Sequence, residues 1–390
     1  MAVYLDNNAT TSMSSDVLDA MMPFLTDRYQ NVSSAAGEVS GLRRALSQAR
    51  TRVATLLDVA DSAECVFTSG ATEANNWAIE GTARNGNGVG HVVTTAIEHP
   101  SVLESVRRLE QESGWSVSVV KPDYSGVITV EDILKVIRPE TKLVSVMLVN
   151  NETGILQPVG AISRAVKAIA PTTTFHTDAT QALGKIGVSL SGELETVDLL
   201  SLSAHKFHGP KGVGVLVVRA GTNIAPLLVG GGQESGRRSG TTNMPGVVGC
   251  GAAAIAARLW ESHRGPVQAM RDRFEEILTS QFPSVLIFGR DQDRLPNTSC
   301  FALPGCDGNS IADRLALENI WVGTGSACSA GALRPPHSLL AMGIPYSTAS
   351  AALRVSLSRY SSNSDIDQLI NALSIIACNA TTATRREVGR

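Results

Sequence analysis

Residues 323–338 read GTGSACSAGALRPPHS, a cysteine set among Gly, Ser and Ala with a Pro pair behind it. No bulky neighbour can bury Cys328, and a thiol acts as a nucleophile only as the thiolate, which apolar burial disfavours. Its setting points to an accessible, reactive thiol. TSGATEANN, at 68–76, predicts a tight turn at Gly70, Ala71 and Thr72 leading into a helix. The first backbone N–H groups of such a helix suit a phosphate. No Gly-Lys-Ser/Thr follows, so this is not a nucleotide P-loop. SLSAHKFHGPKG, at 201–212, places Lys206 just past an apolar strand. The bland reading is a surface lysine. The chemical one is an amine that condenses with a carbonyl group, with Ser203 and His205 adding phosphate contacts.

FHTDATQ, at 175–181, sets Asp178 at the end of a buried strand. It either caps the next helix, worth about 1 kcal/mol, or partners a pyridinium nitrogen and makes pyridoxal phosphate an electron sink. TAIEHP ends at His99, either a polar strand terminus or an imidazole stacked on a cofactor ring and available for proton transfer. VNNETG offers the Asn151 amide to a phenolic oxygen. GGGQESGRRSGTTN, at 230–243, is either a connector or a source of phosphate contacts. A phosphate turn, an aspartate and a lysine in this order are far more specific than any one of them.

These clusters need elements to hold them. GLRRALSQARTRVATLL puts Leu42, Ala45, Leu46, Ala49, Val53 and Leu56 on one helical face. Short apolar runs (CVF, HVV, LVSVMLV, TTF, VDLLSL) follow, most separated by helical patterns such as SVLESVRRLEQES and VGAISRAVKAIA. Strands alternating with helices predict an α/β fold with a mostly parallel sheet. Each polar cluster stands at the carboxyl end of its strand, where such sheets bind ligands. From about residue 256, helices and short strand-like pieces predict a smaller α+β unit. The final ten residues, TTATRREVGR, read as a solvated tail.

Composition narrows the classes. The chain has 390 residues, of which 43% are hydrophobic, enough for a large core in two or more units. A net charge of −3 lacks the basic excess of a nucleic-acid surface. No apolar run nears the roughly 20 residues that span a bilayer. No basic-then-apolar leader opens the chain, so a cytoplasmic location is expected. Six cysteines without a CxxC pair disfavour structural zinc and a redox pair, and no metal site is predicted. Cys65 and Cys378 read as small buried hydrophobes.

The chain resembles the cysteine desulfurases, of the class-V aminotransferase group within the fold-type-I pyridoxal-phosphate enzymes. YLDNNATT, TSGATEANN, IEHPSV, VNNETG, DATQALGK, SAHKFHGPKG, GGGQESGRRSGTTN, LPNTS, GSACSAG and LRVSLSR carry the resemblance, in family order, over residues 4–360. It implies a large domain at 15–255 with a seven-stranded-type sheet between helices. Residues 1–14 and 256–390 would form the small domain that bears the cysteine loop. It implies that Lys206 binds pyridoxal 5'-phosphate and serves as the base, that Asp178 keeps the ring nitrogen protonated, and that His99 stacks on the ring. Gln181 and Asn151 would bond the phenolic oxygen. Ala71 (through its backbone), Thr72, Ser203 and His205 would hold the phosphate, and Thr241 that of the other subunit of a homodimer. Arg354, otherwise an ordinary edge-strand arginine, would bind the L-cysteine carboxylate. Cys328 would accept the sulfur as a persulfide and pass it to an acceptor protein, for iron–sulfur cluster assembly, tRNA or cofactor thiolation, or DNA sulfur modification. The cysteine loop resembles the branch that serves iron–sulfur scaffolds and other sulfur carriers.

The departures are Val32 for Pro, Ala36 for His, Val39 for Gly and Ser358 for Gly, which suggest a specialised member. Two other readings compete. A C–S lyase releasing free sulfur would not need Cys328. A non-catalytic sulfur-relay scaffold would not need Lys206, Asp178, His99 and Arg354 together. An NAD enzyme is disfavoured, since no G-x-G-x-x-G follows an early strand.

Overall fold

The structure is a computed structural model that describes residues 2–85, 88–259, 264–324 and 334–387, with side chains to residue 376. Twelve strands are described. In chain order they are β1 Val3–Tyr4, β2 Cys65–Thr68, β3 His91–Thr95, β4 Ser116–Val120, β5 Thr141–Ser145, β6 Thr174–Asp178, β7 Leu199–Ser203, β8 Gly214–Val218, β9 Leu286–Phe288, β10 Thr298–Ala302, β11 Ile320–Trp321 and β12 Ala352–Ser356. Seven of them form one sheet in the order β2-β8-β7-β6-β5-β3-β4. Pairing is parallel from β7 across to β4, and β8 runs antiparallel to both its neighbours. This is the predicted α/β architecture.

The central strands β3, β5, β6 and β7 are buried along nearly their whole length because helices cover both faces, and they carry Ser, Thr and His among their apolar residues. Successive residues point to opposite sides. In β8, Val215 and Val217 join the core beneath helices Leu42–Leu56, Val159–Ile169 and Met244–Leu259. Leu216 and Val218 join the opposite core, with Trp77 and Ala78 of helix Ala71–Arg84. Of the predicted stripe on Leu42–Leu56, Leu42, Ala49 and Val53 are buried, while Ala45, Leu46 and Leu56 are partly covered.

A separate core gathers Phe274, Leu278, Phe301, Leu353 and Leu369 around β10 and β12, and Val3 and Leu5 from the N-terminus join it. The next residues, Asn7 and Asn8, are buried, so the N-terminal segment runs from this core to the end of the large sheet. The final helix runs Asn363–Glu387, further than the sequence suggested. Residues 381–387, from the stretch expected to be a tail, continue it, and no Pro or Gly lies among them. Among the described residues no helix is long and apolar enough to cross a membrane. Cys65 is buried, as expected, whereas the side chain of Cys378 lies outside the described residues.

Candidate active site

Five strand ends converge on one cleft of about 560 Å³. β2 delivers Ser69–Thr72, β3 leads to His99, β5 to Asn151, β6 ends at Asp178, and β7 delivers Ser203, His205 and Lys206. The N-terminal segment adds Asn8 and Ala9, and β12 adds Arg354. Each of these strands stops at the same edge because the parallel sheet aligns their carboxyl ends.

The candidate phosphate cradle is the first turn of the 14-residue helix Ala71–Arg84, which has no side-chain cap at Gly70. Its N–H groups therefore face the cleft unsatisfied, with the positive end of the helix dipole behind them. Gly214 makes the turn possible. A Cβ there would sit 2.7 Å from Gly70 Cα. Glu73 stands beside the cradle, and its carboxylate is gripped by Arg238 Nε and Nη2 at 2.7 and 2.9 Å, which offsets its charge near an anion. His205, held through Nδ1 to Thr10 Oγ1 at 3.0 Å, is pushed down to about 4 by burial and then by Lys206 and other lysines. It is thus neutral near pH 7.

Asp178 is buried and accepts from Asn75 Nδ2 at 2.7 Å and from the Thr180 N–H at 2.9 Å. Asn75 Nδ2 also donates to Ser101 Oγ at 2.9 Å, and Ser101 Oγ meets His99 Nδ1 at 2.8 Å. The Ser101 backbone N–H donates to that same Nδ1 at 3.1 Å. Nδ1 is therefore an acceptor, and the proton of neutral His99 sits on Nε2. Burial holds His99 below its ordinary 6.5, so the neutral form prevails at pH 7. Neither Asn75 nor Ser101 was read as a site residue, although both lie inside quoted motifs. Asn75 is one helical turn beyond the phosphate turn, the only available signal.

Lys206 Nζ donates to the carbonyls of Asn8 and Ala9 at 2.6 and 2.8 Å. Arg354 is an edge-strand residue but fully enclosed, 4% exposed. Its Nη1 donates to the Asn151 carbonyl at 2.9 Å and its Nη2 pairs with Asp6 Oδ1 at 2.5 Å. Asn151 Oδ1 and Thr180 Oγ1, on cleft-lining residues, are buried without a partner. An uncapped helix end, a buried carboxylate, a lysine amine and orphaned polar atoms in one cleft fit pyridoxal phosphate. They match its phosphate, ring nitrogen, aldehyde and ring substituents.

Of the predicted site residues that the structure describes, Thr241 is not in this cleft. Thr241 is exposed in an adjoining groove lined by Phe67, Thr68 and Ser69. Cys328 lies outside the described residues. Of the four departures, Val32 packs on Phe24 and Leu42, Ala36 and Val39 are exposed, and Ser358 Oγ accepts from the Tyr360 N–H; none lines the cleft.

One anchor near the cleft escaped sequence reasoning. His337 Nδ1 pairs with Glu152 Oε1 at 3.0 Å and its Nε2 meets the Glu98 carbonyl at 2.8 Å. Both partners are acceptors, so both ring nitrogens carry protons. Burial opposes that charge, yet Glu152 and the Glu98 carbonyl override it and raise the His337 pKa above 6.5. A raised histidine stabilises the fold most below its unfolded value, and the effect fades as pH rises through the folded one. Wild type should therefore exceed His337→Gln in Tm by more at pH 6 than at pH 9. Equal differences at both pH values in paired melts would remove the ion pair from the account.

The class-V aminotransferase family (Aminotransferase class-V) matches residues 3–369. A cysteine desulfurase of Cereibacter sphaeroides is 42% identical over 371 residues, covering 95% of this chain and 94% of that protein. A NifS-like protein of known structure superposes with a TM-score of 0.90 at 37% identity, covering 97% of this chain and 100% of the other. The structure described as SspA in complex with cysteine has a TM-score of 0.79 at 34% identity, covering 92% and 99%.

Proposed function

The chain belongs to the class-V aminotransferases and, within them, to the cysteine desulfurases, and on that premise we propose that it converts L-cysteine to L-alanine with pyridoxal 5'-phosphate at Lys206 and moves the sulfur to Cys328. The observation that carries the site assignment is the meeting of the uncapped helix at Gly70, the buried Asp178 and Lys206 in one cleft. When bound, the cofactor supplies an electron sink for the charge that forms at the substrate Cα.

The residues divide the rest of the work. The Ala71 and Thr72 N–H groups, Ser203 and His205 hold the phosphate. Asp178 keeps a proton on the ring nitrogen, and Asn75 fixes its carboxylate. Arg354 takes the substrate carboxylate, its guanidinium plane set by Asp6 and the Asn151 carbonyl. Lys206 removes the Cα proton. His99 presents its Nε2–H towards the reacting groups. The Cys328 thiolate attacks the substrate sulfur. An S–S bond forms, the C–S bond breaks, and its pair stays on carbon, which is protonated to alanine. The persulfide then awaits a sulfur-acceptor protein. Thr241, exposed at the groove rim, suits the expected contact with a second subunit.

Intact mass after incubation with L-cysteine and no reductant tests the reading. Wild type should gain one sulfur and form alanine, and Cys328→Ser should show no gain. Sulfide or pyruvate release with no mass gain, unchanged in the variant, would replace this reading with a C–S lyase.

A further inference from the structure

Lys185 is the most unusual charged residue near the cleft. It is 7% exposed, and among the described residues it forms no ion pair with any carboxylate. Burial, with Lys206 and Arg354 close by, drives its pKa well below the ordinary lysine value. An unpaired buried lysine is costly, and a methionine of similar shape would avoid that cost. Its two hydrogen bonds among the described residues show what it does instead. Nζ donates to Gln181 Oε1 at 2.6 Å and to Asn8 Oδ1 at 3.1 Å. A lysine, charged or neutral, keeps N–H groups for both bonds.

Those bonds decide how Gln181 faces the cleft. Its amide oxygen is taken by Lys185, and Nε2 donates one N–H to the Asn8 carbonyl at 2.9 Å. The second N–H is left for the cleft that Gln181 lines. The Asn8 carbonyl is also the acceptor of Lys206 Nζ, so Asn8 joins Lys185, Gln181 and Lys206 in one unit. Were the amide reversed, its oxygen would face the Asn8 carbonyl, an acceptor–acceptor clash, and Gln181 would lose the N–H bond that Lys185 Nζ now donates to Oε1. We propose that Lys185 is a positioning residue for cofactor chemistry: by holding Gln181 Oε1 and Asn8 Oδ1 it turns a Gln181 N–H towards the phenolic oxygen beside the Lys206 linkage. This rests on the cofactor assignment made above.

The test is a pH titration of the visible absorption of the cofactor–Lys206 linkage in the holoenzyme, for wild type, Lys185→Met, Gln181→Leu and the double variant. A donor at the phenolic oxygen favours its anionic form and competes with the linkage proton, so losing it raises the midpoint. Lys185→Met should shift the midpoint upward by about one unit, the lower end of what one lost polar neighbour does. The double variant should shift no further than Gln181→Leu alone, because one residue acts through the other. An unchanged midpoint in loaded Lys185→Met, or fully additive shifts, overturns the proposal while leaving the cofactor in place. A wild type that takes up no cofactor and shows no visible band overturns both readings. If Lys185→Met does not fold, Lys185→Gln serves. It keeps an N–H for Gln181 Oε1, so its midpoint should stay closer to wild type than that of Gln181→Leu, and a shift equal to that of Gln181→Leu counts against the proposal.

Discussion

Lys206→Ala should lower alanine formation from L-cysteine by about 10³-fold or more, towards the upper range for a positioned proton-transfer group. The same amine also anchors the cofactor and preorganises it, which puts the loss in the upper part of that range or beyond it. The variant should fold normally. Lys206 lies in a short turn after β7, and its Nζ donates to the backbone carbonyls of Asn8 and Ala9, with no place in either core. The check is alanine production under saturating cofactor, with a far-UV spectrum to confirm folding. Activity within tenfold of wild type would remove Lys206 from its assigned role.

Asp178→Asn should cost about 10³-fold in kcat/KM, on the order of 4 kcal/mol of transition-state stabilisation. An amide cannot hold a proton on the ring nitrogen, so the electron sink weakens. The geometry adds a second effect. Asp178 Oδ2 accepts from Asn75, which bonds Ser101, which fixes the His99 tautomer. A carboxamide that presents its NH2 to Asn75 breaks this chain at its first link, since two donors then face each other. The variant should therefore change the pH profile as well as the rate, whereas Asn75→Ala should disturb mainly the profile. A rate loss of less than tenfold in steady-state assays would mean that the ring nitrogen is not governed by Asp178.

Much of this was legible in the chain because strand–loop–helix units put their polar loops at one edge of a parallel sheet whatever the details of packing. CVF and HVV announced strands by their apolar continuity, and the residues just beyond these runs and beyond TTF announced the cleft. Lys206, Asp178 and the Gly70 turn could be read from residue type and place alone. Residues that act through others could not. Asn8 comes from the N-terminal segment, Lys185 follows Gln181 by one helical turn's spacing, and Asn75 meets Ser101 across 26 positions of chain. Their hydrogen bonds depend on which side chains the fold brings within 3 Å, and no local pattern encodes that. Nor could the sequence tell that Arg354, on an edge strand, is enclosed with Asp6, since an edge strand is exposed unless another part of the chain covers it. The sequence thus determined the chemistry and the edge of the sheet that hosts it. The tertiary structure decided the orientation of each group, because orientation is set by partners distant in the chain.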